Sequence, residues 1–373
     1  MNIFIFIHSL SSGGAERVTA NLANHWANKG EQVTVVTLAN KSLDFYQLAP
    51  AVKRISLDLA ADSGNLLFAI VNNLRRVLVL RRLLRRVQPD IALGMMTTAN
   101  LLLAMASFGI DNLATIGSER SHPPQYQLGR IWEGLRRMCY GQLTAVAVLT
   151  NESRAWLLQH TRATKVVVIP NAAHWPLAVQ PPILPVKNYC NLGRNILLAV
   201  GRLSEEKNIE LLLNIFKRLV LDYPAWDLVI LGEGPQRSLL EQNIEKLGLQ
   251  QRVRMPGRVG NVADWYAAAN LYVMCSRFEG FPNSLAEAMA HGLPAVSFDC
   301  DTGPRDIIRD EVDGVLVANG DVIALEKALS RLMADEALRL QFGVKATEAR
   351  ERFSMVKIIA MWEQFFEEVK QRD

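Results

Sequence analysis

Residues 2–38 read NIFIFIHSLSSGGAERVTANLANHWANKGEQVTVVTL. An unbroken apolar run (NIFIFI, 2–7) leads into a turn of small residues (SSGGAER, 11–17). An amphipathic stretch at helical spacing follows (ERVTANLANHWANKG, 16–30), then a second apolar run (VTVVTL, 33–38). Apolar runs without polar alternation predict strands buried on both faces, which a parallel sheet covered by helices provides. The beat continues through DIALGM (90–95), LATIGS (113–118), TAVAVLT (144–150) and KVVVIP (165–170). It stops at Pro170–Asn171. Four prolines between Pro176 and Pro185 exclude regular structure, so 176–194 is predicted as a linker. The beat resumes with ILLAVG (196–201), WDLVILG (226–232), RVRMPG (252–257), LYVMCS (271–276) and PAVSFD (294–299). From 320 to 371 the pattern is nearly all helical. The prediction is an α/β chain of two tandem, doubly wound, Rossmann-like domains, 1–175 and 195–354. Ligands of such sheets bind beyond the carboxyl ends of strands, and two such domains facing each other make a cleft.

Composition narrows the possibilities. The 373 residues suit two domains, and half are apolar. The net charge of +4 excludes a wholesale polyanion binder. It conceals a split: residues 1–175 carry 18 Lys+Arg against 10 Asp+Glu, and residues 176–373 carry 23 against 27. The four cysteines, Cys139, Cys190, Cys275 and Cys300, show no metal-ligand spacing and no disulfide framework, so a reducing, cytoplasmic compartment is expected. NIFIFI lacks a basic flank and is read as a strand, not a signal peptide. Residues 91–110 hold no charge, but polar interruptions favour a strand and a buried helix over a membrane span.

Four stretches lie just after predicted strands. EGFPNSLAE (279–287) places Pro282 at a helix start, so the N–H groups of Asn283, Ser284 and Leu285 are expected to be free for an anion. Glu279 and Glu287 flank that position, as suits a molecule with sugar hydroxyls on either side of a diphosphate. Two surface acids on an amphipathic helix are the plainer alternative. GRLSEEKN (201–208) brings Arg202 and Lys207 from one loop, able to clamp a diphosphate, with Gly201 at the turn. SSGGAER carries Gly13 and Gly14, which permit close backbone approach, yet it matches no dinucleotide or Walker pattern. GSERSHPPQ (117–125) carries Arg120 and His122, both donors to a hydroxyl or phosphate oxygen. The Asp299-Cys300-Asp301 triplet has the look of a metal-holding pair. Arg202 and Lys207 already supply positive charge, so it is read as incidental, with no metal or cofactor required.

Together the E-x7-E of 279–287, the GRL…K of 201–207, the linker, the Gly-Gly loop and HGLPAVSFDCDTGPRDII (291–308) resemble family-4 retaining glycosyltransferases of the GT-B fold. The resemblance implies a nucleotide-sugar donor, a UDP-sugar foremost, on the second domain and an acceptor on the first. It implies that Glu279 meets the donor sugar and Glu287 the ribose, while Arg202 and Lys207 hold the diphosphate. Gly201, Phe281, Asn283, Ser284 and Leu285 would line the donor, and the backbone near Arg258 and Val259 would meet the base. The C-terminal helix, 355–373, would return to the first domain. Relatives carry Ser-Glu-His where this chain has Ser-Glu-Arg at 118–120, so Arg120 and His122 are both acceptor-side candidates. Transfer with retention, by a front-face route in which the leaving phosphate helps deprotonate the acceptor, is what the family implies. A nucleotide-sugar epimerase and a non-catalytic nucleotide-sugar binding subunit are the rival readings.

Residues 63–89 contain no acid and six arginines: Arg75, Arg76, Arg81, Arg82, Arg85 and Arg86. As a helix, Val77, Leu80, Leu84 and Val87 form an apolar stripe and the arginines fan over the other side. A second basic-aromatic stretch, 126–141, lies nearby in sequence. Both suggest docking on an anionic membrane surface, hence a peripheral protein at the inner face of the plasma membrane extending a lipid-linked saccharide. No nucleic-acid recognition motif is found.

Overall fold

The computed structural model describes residues 1–11, 13–60, 66–125, 128–191 and 193–371. Ser12 of the Gly-Gly loop, residues 63–65 of the basic stretch, and Tyr126 and Gln127 of the second stretch lie outside these. The chain forms two compact units, one of residues 1–171 with 358–373 and the other of residues 172–357.

Unit 1 holds seven strands: β1 (Asn2–Ile7), β2 (Gln32–Thr37), β3 (Lys53–Ser56), β4 (Ile91–Met95), β5 (Ala114–Ser118), β6 (Ala145–Val148) and β7 (Val166–Val168). Their order is β3-β2-β1-β4-β5-β6-β7, all parallel. Unit 2 holds six: β8 (Asn195–Val200), β9 (Trp226–Leu231), β10 (Val253–Gly257), β11 (Leu271–Met274), β12 (Ala295–Asp299) and β13 (Gly314–Ala318). Their order is β10-β9-β8-β11-β12-β13, also parallel. Each sheet therefore winds one way from its first strand and then the other, leaving a switch point between β1 and β4 and between β8 and β11. The central strands β1, β4, β8 and β11 are almost wholly buried, as their unbroken apolar runs require.

Two strands escaped the pattern reading, β3 (KRIS) and β13 (GVLVA). Both lie at sheet edges; β3 carries Lys53, Arg54 and Ser56, which an edge tolerates, whereas β13 is an apolar run like the strands that were recognised. The uncharged 91–110 stretch becomes β4 and the buried helix Thr97–Ser107. No helix among the described residues is long and apolar enough to cross a membrane. Segment 176–194 falls within unit 2. Its prolines remove regular structure, but its backbone is still used: Gln180 N–H donates to the Gly260 carbonyl and Gly260 N–H to that of Pro182. Asn261, buried after β10, bonds both polar groups of the Leu184 backbone.

The last helix, Met355–Lys370, packs by its aromatic side on unit 1 from residue 358 onward. Phe366 sits 5.0 Å from the Trp26 ring, both fully buried, and Lys29–Glu363 and Lys165–Glu368 pairs border the seam. Truncating a buried phenylalanine costs about 3–5 kcal/mol. Phe366→Ala is therefore expected to lower the unfolding free energy of the unit by that much in urea titrations. An unchanged midpoint would mean the helix is only loosely attached.

Candidate active site

In unit 2 the switch point brings the loops after β8 and β11 side by side. The Lys207 ammonium lies 2.5 Å from Glu279 Oε1, and Ser276 Oγ donates to the same oxygen at 2.7 Å. Arg277 N–H donates to the Glu206 carbonyl at 2.8 Å, and its guanidinium pairs with Glu205 at 2.9 Å. The Cys275 thiol reaches the carbonyls of Lys207 and Asn208, and burial pushes it up to about 12, so it is an inert packing group. The GRLSEEKN and CSRFEG segments, distant in sequence, thus form one polar cradle. Arg202, two residues after β8, is exposed, and its guanidinium has no hydrogen-bond or ion-pair partner among the described residues.

The helix Asn283–Ala290 begins at the floor of this cradle. Pro282 precedes the helix instead of lying in its first turn, and its carbonyl accepts the N–H groups of Leu285 and Ala286. The Leu285 N–H is therefore not available to an anion, because a short helix closes its first turn at once. Ser284 turns its hydroxyl down to the Val200 carbonyl at 3.0 Å and meets the Tyr272 hydroxyl at 2.9 Å, tying the helix start to the end of β8. Glu287 is buried, and its carbonyl accepts from His291 Nδ1. Burial raises the Tyr272 phenol, the Ser284 hydrogen bond opposes this, and the Glu279 and Glu287 carboxylates raise it further. Phe281 is buried, edge-on to Phe353. Thr302 Oγ1 donates to the Glu279 carbonyl, so the TGPRDII stretch braces the loop.

The close backbone approach lies elsewhere than at Gly201. A Cβ on Gly201 would meet only the Lys207 side chain, at an ordinary 3.6 Å. Gly232 has φ +137°, and a Cβ there would sit 1.8 Å from the Gly201 carbonyl oxygen. A Cβ on Gly234 would sit 2.3 Å from that of Leu203. Leu203 N–H in turn donates to the Glu233 carbonyl. These glycines let the loop after β9 press on the loop after β8. Their signal was Gly-Glu-Gly directly after a strand. Arg258 and Val259 follow β10, the former exposed. Asp299 pairs with Arg305 at 2.7 Å, and among the described residues no group of three or more His, Cys, Asp or Glu is placed to hold a metal.

The acceptor-side candidates of unit 1 have different surroundings. Gly13 is extended and precedes the helix Gly14–Asn28. The Glu16 carboxylate reaches where a Gly13 Cβ would stand, bonds its own backbone, and is raised by burial. The anion position at this helix end thus holds the chain's own carboxylate, which disfavours a phosphate there. Arg120 donates to Asn171 Oδ1 and to Ser118 Oγ, and burial lowers it to about 9, still protonated at neutral pH. His122 is buried, with Nδ1 3.0 Å from Ser153 Oγ, a packing tie to the next helix. Between them and the sheet lies Glu119, which the sequence reading passed over. Thr97 and Tyr140 hydroxyls donate to it; burial raises its carboxyl and these bonds pull it back.

Comparison with known proteins gives the class. The model described as "Glycosyl transferases group 1" matches residues 184–349, and that described as "Glycosyltransferase Family 4" matches 12–174. An alpha-1,4-N-acetyl-D-galactosaminyltransferase of Campylobacter jejuni, named for a diNAcBac-PP-undecaprenol-linked substrate, is 29% identical over 99% of both chains. An amylovoran biosynthesis glycosyltransferase of Erwinia amylovora is 27% identical over 96% of this chain and 98% of that one. An exopolysaccharide phosphotransferase of Streptomyces coelicolor is 34% identical over 79% of this chain, which spans only 30% of its length. Sucrose-phosphate synthase of Thermosynechococcus elongatus superposes with a TM-score of 0.84 at 20% identity, over 99% of each chain. Anabaena HepE in complex with UDP-glucose gives 0.77 at 20% identity, over 99% of this chain and 100% of that one. The two parallel-sheet α/β units have the GT-B fold, and both matched models are glycosyltransferase models. More particularly, the chain belongs to glycosyltransferase family 4.

A methyl group at Gly232 has nowhere to go but into the Gly201 carbonyl. Gly232→Ala is expected to lower the melting temperature by several degrees, as a strained backbone substitution costs about 1–3 kcal/mol. A melting curve that overlays the wild type would show that the two loops are not pressed together.

Proposed function

We propose that the chain transfers a hexosyl or N-acetylhexosaminyl group from a nucleoside-diphosphate sugar, UDP foremost, to a lipid-linked saccharide, with retention and without a metal. The observation that carries this reading is the cradle after β8 and β11, where Lys207 and Glu279 meet at 2.5 Å beside a helix start and the unpaired Arg202. A diphosphate seated there would draw on Lys207 as a point charge and on Arg202 as a planar fork. Glu279, freed from Lys207, would accept hydroxyls of the sugar, and Glu287 lies one turn and more along the helix toward the ribose. Base recognition falls to the backbone near Arg258 and Val259.

In the reaction, the bond from the anomeric carbon to the phosphate oxygen breaks, and a bond to the acceptor oxygen forms on the same face. The acceptor proton passes to the departing phosphate oxygen. Negative charge grows on that phosphate, so fixed cations are the catalytic need. The pairing of Asp299 with Arg305 supports a metal-free site, since one carboxylate of the Asp-x-Asp pair is already engaged. The lipid-linked acceptor is supported by the full-length likeness to the undecaprenol-linked Campylobacter enzyme. On the acceptor side Arg120 and His122 both have partners, Asn171 and Ser118 for the one and Ser153 for the other, so both stay candidates.

A panel of nucleotide sugars with a lipid-linked saccharide extract, with and without chelator, tests the reaction. Transfer should survive chelation, and proton NMR of the product should show the donor's anomeric configuration. Conversion of donor without acceptor would instead favour an epimerase. Arg202→Ala and Lys207→Ala are each expected to cut turnover about 100–1000-fold with an unchanged melting temperature. Near-normal turnover in both would sink the cradle as the donor site.

A further inference from the structure

The loop after β9 carries a carboxylate that the cradle does not use. Glu233 stands between Gly232 and Gly234, and its main chain is held on both sides. Its carbonyl accepts from Leu203 N–H, and the preceding Gly232 N–H donates to the Gly257 carbonyl at the end of β10. Its side chain is held as well. Arg237 Nη1 donates to Glu233 Oε1 at 2.6 Å, while Nη2 of the same guanidinium donates to the Met255 carbonyl at 2.9 Å. The arginine therefore ties the loop to β10 and sets the carboxylate against that strand's end. There Gly257 has φ +95°, and a Cβ on it would sit 2.6 Å from Oε1. The carboxylate thus lies on the backbone immediately before Arg258 and Val259. Its other oxygen, Oε2, has no hydrogen-bond partner among the described residues, and the side chain is 43% exposed.

A Glu–Arg pair four residues apart is ordinary at a helix surface and adds little stability. Such a pair needs neither a glycine opposite it nor a second arm of the arginine on another strand. Here both are present, and they fix an acceptor oxygen that the fold itself does not consume. A carboxylate accepts hydrogen bonds and donates none. Bases differ in what they offer it. Uracil presents an N–H at N3, whereas cytosine presents a lone pair at the same atom. A fixed acceptor facing N3 therefore gains a charge-assisted bond with the first and sets two lone pairs against each other with the second. Sites built to bond one N–H reject the analogue that lacks it more strongly than apolar pockets reject a change of size.

We propose that Glu233, held by Arg237, is a specificity-determining residue that reads the edge of the donor's base and selects uracil over cytosine by accepting its N3–H. This rests on the cradle as a nucleoside-diphosphate site with its base end at 258–259, and adds the side chain that decides which base. The test is calorimetric titration of the full chain with UDP and with CDP, which differ only at N3 and C4 of the base. A hydrogen bond to a charged group is worth about 10–100-fold in affinity, so the wild type should prefer UDP by about tenfold or more. Glu233→Gln keeps an oxygen for Arg237 but offers an amide N–H that cytosine N3 can accept. Its preference should fall to within about threefold at an unchanged melting temperature. Lys207→Ala should weaken both nucleotides alike and keep the preference, because the ammonium meets the diphosphate that they share. Equal binding of UDP and CDP by the wild type would overturn the assignment, as would a Glu233→Gln chain that keeps the wild-type preference or loses both nucleotides equally. Binding of GDP or ADP without UDP would overturn it and leave the donor site standing. Absence of binding by all four would overturn the donor-site reading with it.

Discussion

Between β8 and β11 the sheet of unit 2 reverses its winding, and the Lys207–Glu279 cradle depends on that reversal. Parallel strands must be joined by crossover helices, and crossovers that leave in opposite directions cannot cover the gap where they part. The loops after β8 and β11 are the two that border this gap. Each loop therefore ends against the other, which brings Lys207 to Glu279 although 72 residues separate them. Gly232 and Gly234 add the third wall, because only glycine lets the loop after β9 come within contact of the Gly201 and Leu203 carbonyls. The same constraint operates between β1 and β4 in unit 1, but there the first helix carries its own carboxylate, Glu16.

The Lys207–Glu279 pair is partly buried, with 23% and 10% of the two side chains exposed. Pairs in such surroundings recover little beyond their desolvation, so stability is a poor reason for this one to exist. A ligand that bears both anionic and hydroxyl groups gives a better reason. Its phosphates can replace Glu279 at Lys207, and its hydroxyls can replace Lys207 at Glu279. Arg202, exposed and unpaired, then adds charge without having to give up a partner.

Parallel-sheet architecture was legible because buried strands leave unbroken apolar runs, and NIFIFI, ILLAVG and LYVMCS need no partner to be recognised. The edge strand β3 was not, because its lysine, arginine and serine break the apolar run; β13 is as apolar as the strands that were recognised, and its composition does not explain why it was missed. Arg202, Lys207 and Glu279 were legible because they follow such runs directly. Gly232 was missed because the search followed charges, while this residue acts by what it lacks. Glu119 was missed for a related reason: its role depends on Thr97 and Tyr140, and no local spacing announces hydrogen bonds between a strand end and two separate helices. Leu285 was over-read, since a sequence shows that N–H groups exist at a helix start and not that the Pro282 carbonyl has already taken one.

The surplus of positive charge in residues 1–175 acquires a different meaning once its arginines are sorted by neighbour. Arg54 pairs with Asp44, Arg136 with Glu133, and Arg76 and Arg81 hold backbone carbonyls. These are structural cations, and they would be present in a protein with no anionic partner at all. What is left is concentrated on helix surfaces that also expose leucine, phenylalanine and methionine. Charge alone gives long-range attraction that salt removes, and apolar area alone gives adhesion without preference for charge. Their coincidence on one helical arc is a local property that net charge, counted over the whole chain, could not express.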